Sequence, residues 1–305
     1  MAKRIKVIMD FDGTLTDEGR QAKQLATIAR RMLAKDILHV SLREIEKAYE
    51  KIRKKILACP HRFHWEVNGL PATYAYEGAY LLNTAIMQEI VRSKPTYLSA
   101  VKKLFPSDGL DPVTRCTNHL FHKGTFQVRP YFLGGVRRLL ISLIKHPAID
   151  PVIMTNSETR KIKKNLRKLR IGQCGTKHHF CHELEILGDT RQYHMDSNWN
   201  QVFQHHIHGP IQVLPVNKRF SVDLRRPVYF EALRRIIEQG DNEAVVVADG
   251  FSLAGALPLC MGLRFILKKT DFTPAWTEEY VASHPNGTVV GELGELQRHL
   301  LSLVE

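Results

Sequence analysis

The sequence predicts an α/β fold, in which a doubly wound and mostly parallel sheet is interrupted by a helical domain. Short β-branched runs alternate with amphipathic stretches near the N-terminus and again from about residue 130 onward. That alternation is typical of a parallel sheet with helices on both faces. Between these two regions the apolar residues follow helical spacing instead. We therefore expect a discontinuous Rossmann-like core, residues 1–16 and 130–305, with residues 17–129 inserted as a helical domain.

The first predicted strand carries the most specific motif in the chain. Val7, Ile8 and Met9 predict a buried strand, and Asp10 and Asp12 follow where that strand must end. Because these carboxylates are two positions apart, they point to the same side of an extended backbone. Two carboxylates this close repel each other and lose hydration in an apolar site, unless a cation balances them or one of them carries a proton. The motif therefore predicts a chemical site, and an Asp-Gly turn that merely ends a strand is the alternative.

The inserted segment predicts helices with short connections. Ser41 and Glu44 have the spacing of a capping box at the start of the second helix. From Cys59 to Pro71, prolines and aromatic residues predict a loop. The expected helices span residues 17–35, 42–56, 77–91, 97–104 and 113–121.

The remaining elements alternate between helix and strand, which places polar residues at one edge of the sheet. Thr155 and Asp249 each follow a predicted strand, as Asp10 does. Ligands of parallel sheets bind beyond the carboxyl ends of the strands, so these three side chains are expected to converge. The expected strands are 151–154, 211–216, 244–247 and 264–267, and the expected helices are 134–144, 158–169, 228–238 and 295–303.

Two of these strand ends carry further candidate groups. The Thr155 hydroxyl and the Asn156 amide can donate to an anion, together with the N-terminus of the following helix. A simple helix N-cap is the alternative function for the threonine. Asp249 follows four buried strand residues, and a carboxylate there is costly unless it is solvated or holds a metal ion.

This pattern resembles the haloacid dehalogenase (HAD) superfamily, whose members mostly hydrolyse phosphate monoesters. Residues 7–16 are similar to the first motif of that family. The resemblance implies that Asp10 is a nucleophile that forms an aspartyl-phosphate, and that Asp12 is the general acid/base. It also implies that Thr155 is the second motif, which donates to the phosphoryl group, and that Asp249 is the fourth motif. Mg²⁺ would be held by Asp10, the backbone carbonyl of Asp12 and Asp249. The inserted helices resemble a cap domain of the C1 type, although a helical domain without a gating role is the alternative.

The family also has a basic third motif, for which the sequence offers Lys218, Arg225 and Arg226. We favour Arg226 because of its distance before the fourth motif, and an arginine would present a fixed fork where a lysine presents a mobile point charge. The chain departs from the family in one respect. A second acid usually follows the fourth motif, but Leu253 and Ala254 occupy those positions. Its absence weakens the expected metal site.

Composition favours an intracellular enzyme. The 305 residues include 44 Lys and Arg against 31 Asp and Glu, a net charge of +13. The basic residues lie mostly in helical stretches, which predicts solvated helix faces, and no nucleic-acid-binding motif accompanies them. Nucleic acid is therefore not an expected partner, and no apolar segment is long enough to predict membrane insertion. The five cysteines are odd in number and scattered, and the N-terminal apolar run is too short for a signal peptide. We expect a cytoplasmic protein, and the oligomeric state stays open.

A His- and Cys-rich segment at residues 174–210 is longer than this interval of the fold needs. Zinc accepts such ligands, but no paired C-x₂-C spacing is present, so solvated or core histidines are the simpler interpretation, and a lid near the substrate is a further one. The side chains in question are Cys174, His178, His179, Cys181, His182, His205, His206 and His208.

The function expected from the sequence is a Mg²⁺-dependent HAD-like hydrolase that acts on a small phosphorylated metabolite. Dehalogenation is disfavoured because dehalogenases of this superfamily lack the acid at position 12. A phosphotransferase or phosphomutase would share every residue named above. A non-catalytic HAD-fold binding or regulatory module is the alternative from a different class.

Overall fold

A computed structural model of the chain divides into two compact units. The first unit comprises Met1–Asp17 and Phe132–Glu305, and the second is Glu18–Tyr131. These limits lie close to the division expected from the sequence. The structure describes four stretches of the chain: residues 4–172, 184–199, 212–238 and 243–305.

The strands divide between one large sheet and two hairpins. In chain order the described residues form β1 (Ile5–Met9), β2 (His64–Val67), β3 (Leu70–Tyr74), β4 (Ile149–Met154), β5 (Glu185–Leu187), β6 (Val213–Pro215), β7 (Ser221–Asp223), β8 (Glu243–Ala248), β9 (Arg264–Lys268) and β10 (Gly287–Val290).

The helices follow the expected order, with two helices, α9 and α10, that the sequence did not predict. They are α1 (Glu18–Met32), α2 (Leu42–Ala58), α3 (Ala79–Arg92), α4 (Pro95–Leu104), α5 (Pro112–Thr125), α6 (Val136–Lys145), α7 (Thr159–Arg167), α8 (Pro227–Glu238), α9 (Ala256–Cys260), α10 (Ala275–Ser283) and α11 (Leu293–Ser302).

The large sheet confirms the predicted fold class. Its strand order is β10-β9-β8-β1-β4-β5, and the neighbouring strands pair in parallel. All five residues of β1 are buried, which is the pattern of a central strand covered on both faces. Burying each of its large apolar side chains stabilises the fold by about 1.5–3 kcal/mol. The centre of the sheet is thus the most strongly specified part of this unit.

The inserted unit leaves and re-enters the sheet-containing unit at one point. Thr16 forms an isolated antiparallel bridge with Phe132, and the Leu133 N–H donates to the Leu15 carbonyl oxygen at 3.1 Å. The insertion therefore occupies a single connection directly after the first motif. In the second unit, α3 is buried along most of its length and packs into one apolar core with α1, α2, α4 and α5.

The prediction of a loop between Cys59 and Pro71 is wrong, because the hairpin of β2 and β3 occupies most of this segment. Asn68 and Gly69 have φ values of 54° and 76°, which two-residue hairpin turns require. Buried and half-buried residues alternate along β2, as expected for a strand with one face toward the core. The Asn-Gly pair was therefore the decisive signal, and the neighbouring prolines and aromatic residues obscured it.

Three further details differ from the expectation. The segment predicted as a strand at 211–216 forms a short antiparallel hairpin, β6 with β7, outside the large sheet. Strands β5 and β10 lie at the two edges of the large sheet and were not predicted. Ser41 caps α2 by accepting from the Glu44 N–H, but the Glu44 carboxylate binds Lys94 and Tyr97 rather than completing a capping box. Among the helices of the described stretches, none is long and apolar enough to cross a membrane.

Candidate active site

The register of the central strands brings the predicted polar residues to one edge of the sheet. Met9 lies opposite Ile153 on β4 and opposite Val247 on β8. The chain beyond these positions continues the same ladder, since the Asp10 N–H donates to the Val247 carbonyl oxygen at 2.8 Å. Asp10 therefore leaves β1 at the level where β8 leads into Asp249.

The turn after the two aspartates is built directly against the Asp249 carboxylate. Gly13 has a φ of +84°, and a Cβ placed there would lie 2.0 Å from Asp249 Oδ2. The buried Thr14 hydroxyl donates to Asp249 Oδ1 at 3.2 Å and accepts from the Asp249 N–H at 3.0 Å. The first and fourth motifs are thus in van der Waals and hydrogen-bond contact.

The Asp249 carboxylate has a strongly raised pKa. Asp249 is 9% exposed, and burial together with the nearby Asp12 charge raises the pKa of its carboxyl group to about 7. The Thr14 hydroxyl and the Lys268 ammonium oppose this shift in pKa. Burial also lowers the pKa of Lys268. Acidic groups held this close together in a buried position are stable as anions only beside a compensating cation.

This arrangement predicts that Asp249→Asn stabilises the metal-free protein. Because the pKa of Asp249 is raised in the folded state, folding favours its protonated form, and wild-type stability is lost as pH rises from about 4 to about 7. Asparagine keeps the shape without the charge and removes this loss. We expect the variant to be more stable by roughly 2–4 kcal/mol near pH 8, and by less near pH 5. Chemical denaturation in EDTA at both pH values measures this, and a variant with unchanged pH dependence would contradict it.

Asp12 is held by a hydroxyl and a lysine from the first turn of α7 and the loop before it. The Ser157 hydroxyl donates to Asp12 Oδ2 at 2.6 Å. The Lys161 ammonium donates to the Ser157 oxygen at 3.0 Å and lies 3.9 Å from Asp12 Oδ2. Sequence reasoning missed both residues, although Ser157 lies only two positions after the second motif.

The second motif packs against the loop that follows β5. Thr155 is 1% exposed, and its hydroxyl oxygen accepts the Ser157 N–H at 3.2 Å. A hydroxyl that accepts in this way can still donate its own proton. The Asn156 side-chain oxygen accepts from the Gln192 N–H at 2.7 Å, and its amide donates to Gln192 Oε1 at 3.4 Å. Gln192 therefore fixes the orientation of the Asn156 amide.

Arg226 is a fully buried cation next to the same loop. Its residue is 0% exposed, and Nη1 donates to the Gln192 carbonyl oxygen at 2.8 Å. Burial raises the pKa of Tyr229, and Asp10 raises that pKa further while Arg226 opposes the shift. Both charges therefore act on one buried phenol. The Asp10 carboxylate and the Arg226 guanidinium are thus both close enough to the Tyr229 hydroxyl to affect its pKa.

The other two basic candidates lie in different surroundings. The Arg225 guanidinium forms a bidentate pair with the Asp223 carboxylate, with an Nη2 to Oδ2 distance of 2.5 Å, and Nη1 donates to the Ser197 carbonyl oxygen. Lys218 is exposed in the turn between β6 and β7. Of the three, Arg226 is the one that is fully buried. The eight His and Cys side chains considered above as zinc ligands in the 174–210 segment lie outside the described residues.

The described residues offer few side-chain ligands for a metal ion at this site. In the part of the chain that the structure describes, no group of three or more His, Cys, Asp or Glu side chains could hold a metal ion. Leu253 and Ala254 lie in a π-helical turn, Phe251–Gly255, and Ala254 is buried, so no acid is added there. Mg²⁺ is commonly bound by one or two carboxylates with waters and substrate phosphate, and two carboxylates plus a backbone carbonyl meet that demand.

The fold is similar to solved structures of HAD-superfamily hydrolases and phosphatases. A HAD phosphatase from Thermococcus onnurineus has 13% identity and a TM-score of 0.44, with 98% of each chain covered. A HAD-superfamily hydrolase of subfamily IA from Geobacter sulfurreducens has 14% identity and a TM-score of 0.45, with 99% of this chain and 97% of that chain covered. A 2-haloacid dehalogenase from Pseudomonas syringae has 17% identity and a TM-score of 0.44, with 99% and 100% covered. Neither a protein-family model nor the sequence of a curated protein matches this chain. At these values the matches decide neither family nor reaction.

Proposed function

We propose that this chain is a HAD-like, Mg²⁺-dependent phosphatase that hydrolyses phosphate monoesters, with a small phosphorylated metabolite as the simplest substrate. The observation that carries the proposal is the contact of the first motif with Asp249. Gly13 and Thr14 pack on that carboxylate, and the Asp12 charge perturbs it. A carboxylate cluster at the carboxyl edge of a parallel sheet is where this chemistry is expected.

The proposed reaction has two steps. An Asp10 carboxylate oxygen attacks phosphorus, the bond from phosphorus to the alcohol oxygen breaks, and Asp12 protonates the departing oxygen. Asp12 then takes a proton from water, the water oxygen attacks phosphorus, and the bond to Asp10 breaks. Inorganic phosphate leaves, and both carboxylates return to their starting state.

Several groups are positioned to hold the phosphoryl group during these steps. The Thr155 hydroxyl can donate to a phosphoryl oxygen, and the buried Arg226 guanidinium supplies fixed positive charge. Asp10, the Asp12 carbonyl and Asp249 would hold Mg²⁺, whose charge would offset the repulsion between the nucleophile and the phosphate. Ser157 and Lys161 keep Asp12 in a defined orientation. We assign Arg225 and Lys218 no direct part.

The second unit, Glu18–Tyr131, is proposed as the cap that selects the substrate. The proposal includes a cytoplasmic location, because the cysteines are scattered and odd in number.

A panel of phosphate monoesters tests this function. We expect hydrolysis of p-nitrophenyl phosphate and of some sugar phosphates in Mg²⁺, and none in EDTA. Release of inorganic phosphate supports a phosphatase, whereas transfer of the phosphoryl group to a sugar would indicate a phosphotransferase or phosphomutase. No Mg²⁺-dependent turnover on any member of the panel would favour a non-catalytic binding module, which the missing second acid makes the main rival.

The orientation of Asp12 gives a prediction for Ser157→Ala. Removing a hydrogen bond to a charged acceptor should reduce kcat about tenfold with little change in KM, because the substrate-binding groups are untouched. Ser142→Ala is the matched control, since the Ser142 hydroxyl donates only to the Leu139 carbonyl within α6 among the described residues. Steady-state kinetics on p-nitrophenyl phosphate measure both variants. Equal rates for the two would show that Ser157 does not position the acid/base.

A further inference from the structure

Helix α7 and the turn after it carry a basic surface that the proposed reaction does not use. Residues 159–172 contain seven basic side chains and no acidic one. Lys161 turns toward Asp12, while the other six are exposed. We call these six the α7 basic face: Arg160, Lys163, Lys164, Arg167, Lys168 and Arg170.

The spacing of these charges is unfavourable for an isolated helix. Lys164 lies four residues from both Arg160 and Lys168, so their side chains are neighbours on the helix surface. Like charges at this spacing repel and destabilise a helix. Within the described ranges, no ion pair involves a side chain of the α7 basic face. The fold therefore keeps a repulsive cluster where neutral residues would be more stable.

Two other helices with several basic residues also contain acids. In α8, Arg234 binds Glu231 at 2.8 Å and Glu238 at 2.7 Å. In α2, lysines and arginines alternate with glutamates along the sequence. Helix α7 has basic residues and no acid, so it carries more net positive charge than α2 or α8.

We propose that the α7 basic face binds the phosphate backbone of a nucleic acid. A row of unpaired cations complements a regular series of phosphates, and the release of counterions would drive the association. An anionic membrane surface fits less well, because a membrane-binding helix also presents large apolar residues. The exposed large apolar residues of the described chain are Leu57, Leu104, Phe126, Val213 and Val228, all outside α7.

The position of the helix links this surface to the candidate active site. Lys161 in its first turn lies 3.9 Å from Asp12 Oδ2. From Arg160 to Lys168 the helix rises about 12 Å, so a strand bound along it would begin beside the carboxylates. The substrate would then be a phosphate monoester at the end of the bound nucleic-acid strand, and not a free metabolite. This second step rests on the proposed function.

Binding of a fluorescein-labelled, 5′-phosphorylated single-stranded DNA oligonucleotide tests the surface without any turnover. We expect salt-dependent binding by the wild type. The variant K163Q/K164Q/R167Q/K168Q should bind about tenfold or more weakly, and its slope of log K against log salt should fall by about 3. The variant K47Q/K51Q/R53Q/K54Q removes the same charge from exposed positions of α2 and should match the wild type.

Three other outcomes of this binding experiment would contradict the proposal that the α7 basic face binds nucleic acid. Absence of wild-type binding, equal losses in the two variants, or stronger binding to phosphatidylserine vesicles than to DNA would do so. Misfolding is checked by thermal unfolding, where relief of repulsion should leave the α7 variant at least as stable as the wild type.

Kinetics in Mg²⁺ separate the substrate step from the proposed function. We expect the α7 variant to lose about tenfold in kcat/KM on the phosphorylated oligonucleotide and to keep wild-type turnover of p-nitrophenyl phosphate. Turnover of p-nitrophenyl phosphate without turnover of the oligonucleotide would overturn the substrate step alone. If the wild type hydrolysed no phosphate monoester, the proposed function would be contradicted. The DNA-binding experiment would still test whether the α7 basic face binds nucleic acid.

Discussion

Asp10→Asn is expected to reduce turnover of phosphate monoesters by roughly 10⁴ to 10⁶, because an amide oxygen cannot replace the carboxylate that attacks phosphorus. The substitution is nearly isosteric, so the fold should persist. Asp150→Asn is the matched control, since that carboxylate pairs with Lys6 at 2.7 Å near the opposite, amino-terminal edge of the same sheet. We expect the control to retain wild-type kcat/KM. Comparable activity of the Asp10 variant and the control would exclude Asp10 as the nucleophile.

A companion variant, Asp12→Asn, separates the two chemical steps. The leaving group of p-nitrophenyl phosphate needs little protonation, so transfer of the phosphoryl group to Asp10 should still occur. Hydrolysis of the aspartyl-phosphate should fail, because no base activates the water. We expect kcat to fall by about 10² to 10⁴ and a hydroxylamine-labile phosphoprotein to accumulate after acid quenching. Asp10→Asn should give no such species. A phosphoprotein in the Asp10 variant would move the covalent step to another residue.

The parts of the fold that the sequence predicted are those where local pattern and burial agree. Strand β1 is a short apolar run that ends in two acids, and its five buried residues leave no alternative face. Strand β5 has only three residues and is half exposed at the sheet edge, so it lacks both length and apolar period. The Asn68-Gly69 turn shows the opposite case, a sufficient local signal set among conflicting neighbours.

The candidate site divides in the same way. The residues that follow directly from a strand, such as Asp10 and Asp249, could be predicted because the strand fixes where they lie. Arg225 and Arg226 are adjacent in sequence, and only packing shows that one binds the Asp223 carboxylate while the other is fully buried beside Gln192. Contacts between distant segments, such as Ser157 with Asp12, have no local sequence signal at all.

Gly13→Ala is expected to disrupt the contact between the first and fourth motifs. Its φ of +84° strains any residue with a Cβ by about 1–2 kcal/mol. The new Cβ would also lie 2.0 Å from Asp249 Oδ2, so the carboxylate or the turn must move. A displacement on the order of 1 Å among catalytic groups can reduce the rate about 10²-fold. We therefore expect kcat/KM to fall by about that factor, with a higher Mg²⁺ concentration needed for half-maximal activity.

Gly69→Ala distinguishes crowding from backbone strain. Gly69 also has a positive φ, +76°, but a Cβ there would meet no described atom within 4 Å. It should therefore lose stability from strain alone and keep wild-type kinetics. If Gly13→Ala were as active as Gly69→Ala and needed no more Mg²⁺, the close packing of the motif turn on Asp249 would not be what holds that carboxylate in place. If it lost activity while unfolding no more readily than the control, the loss would come from the displaced carboxylate, because strain is common to both variants.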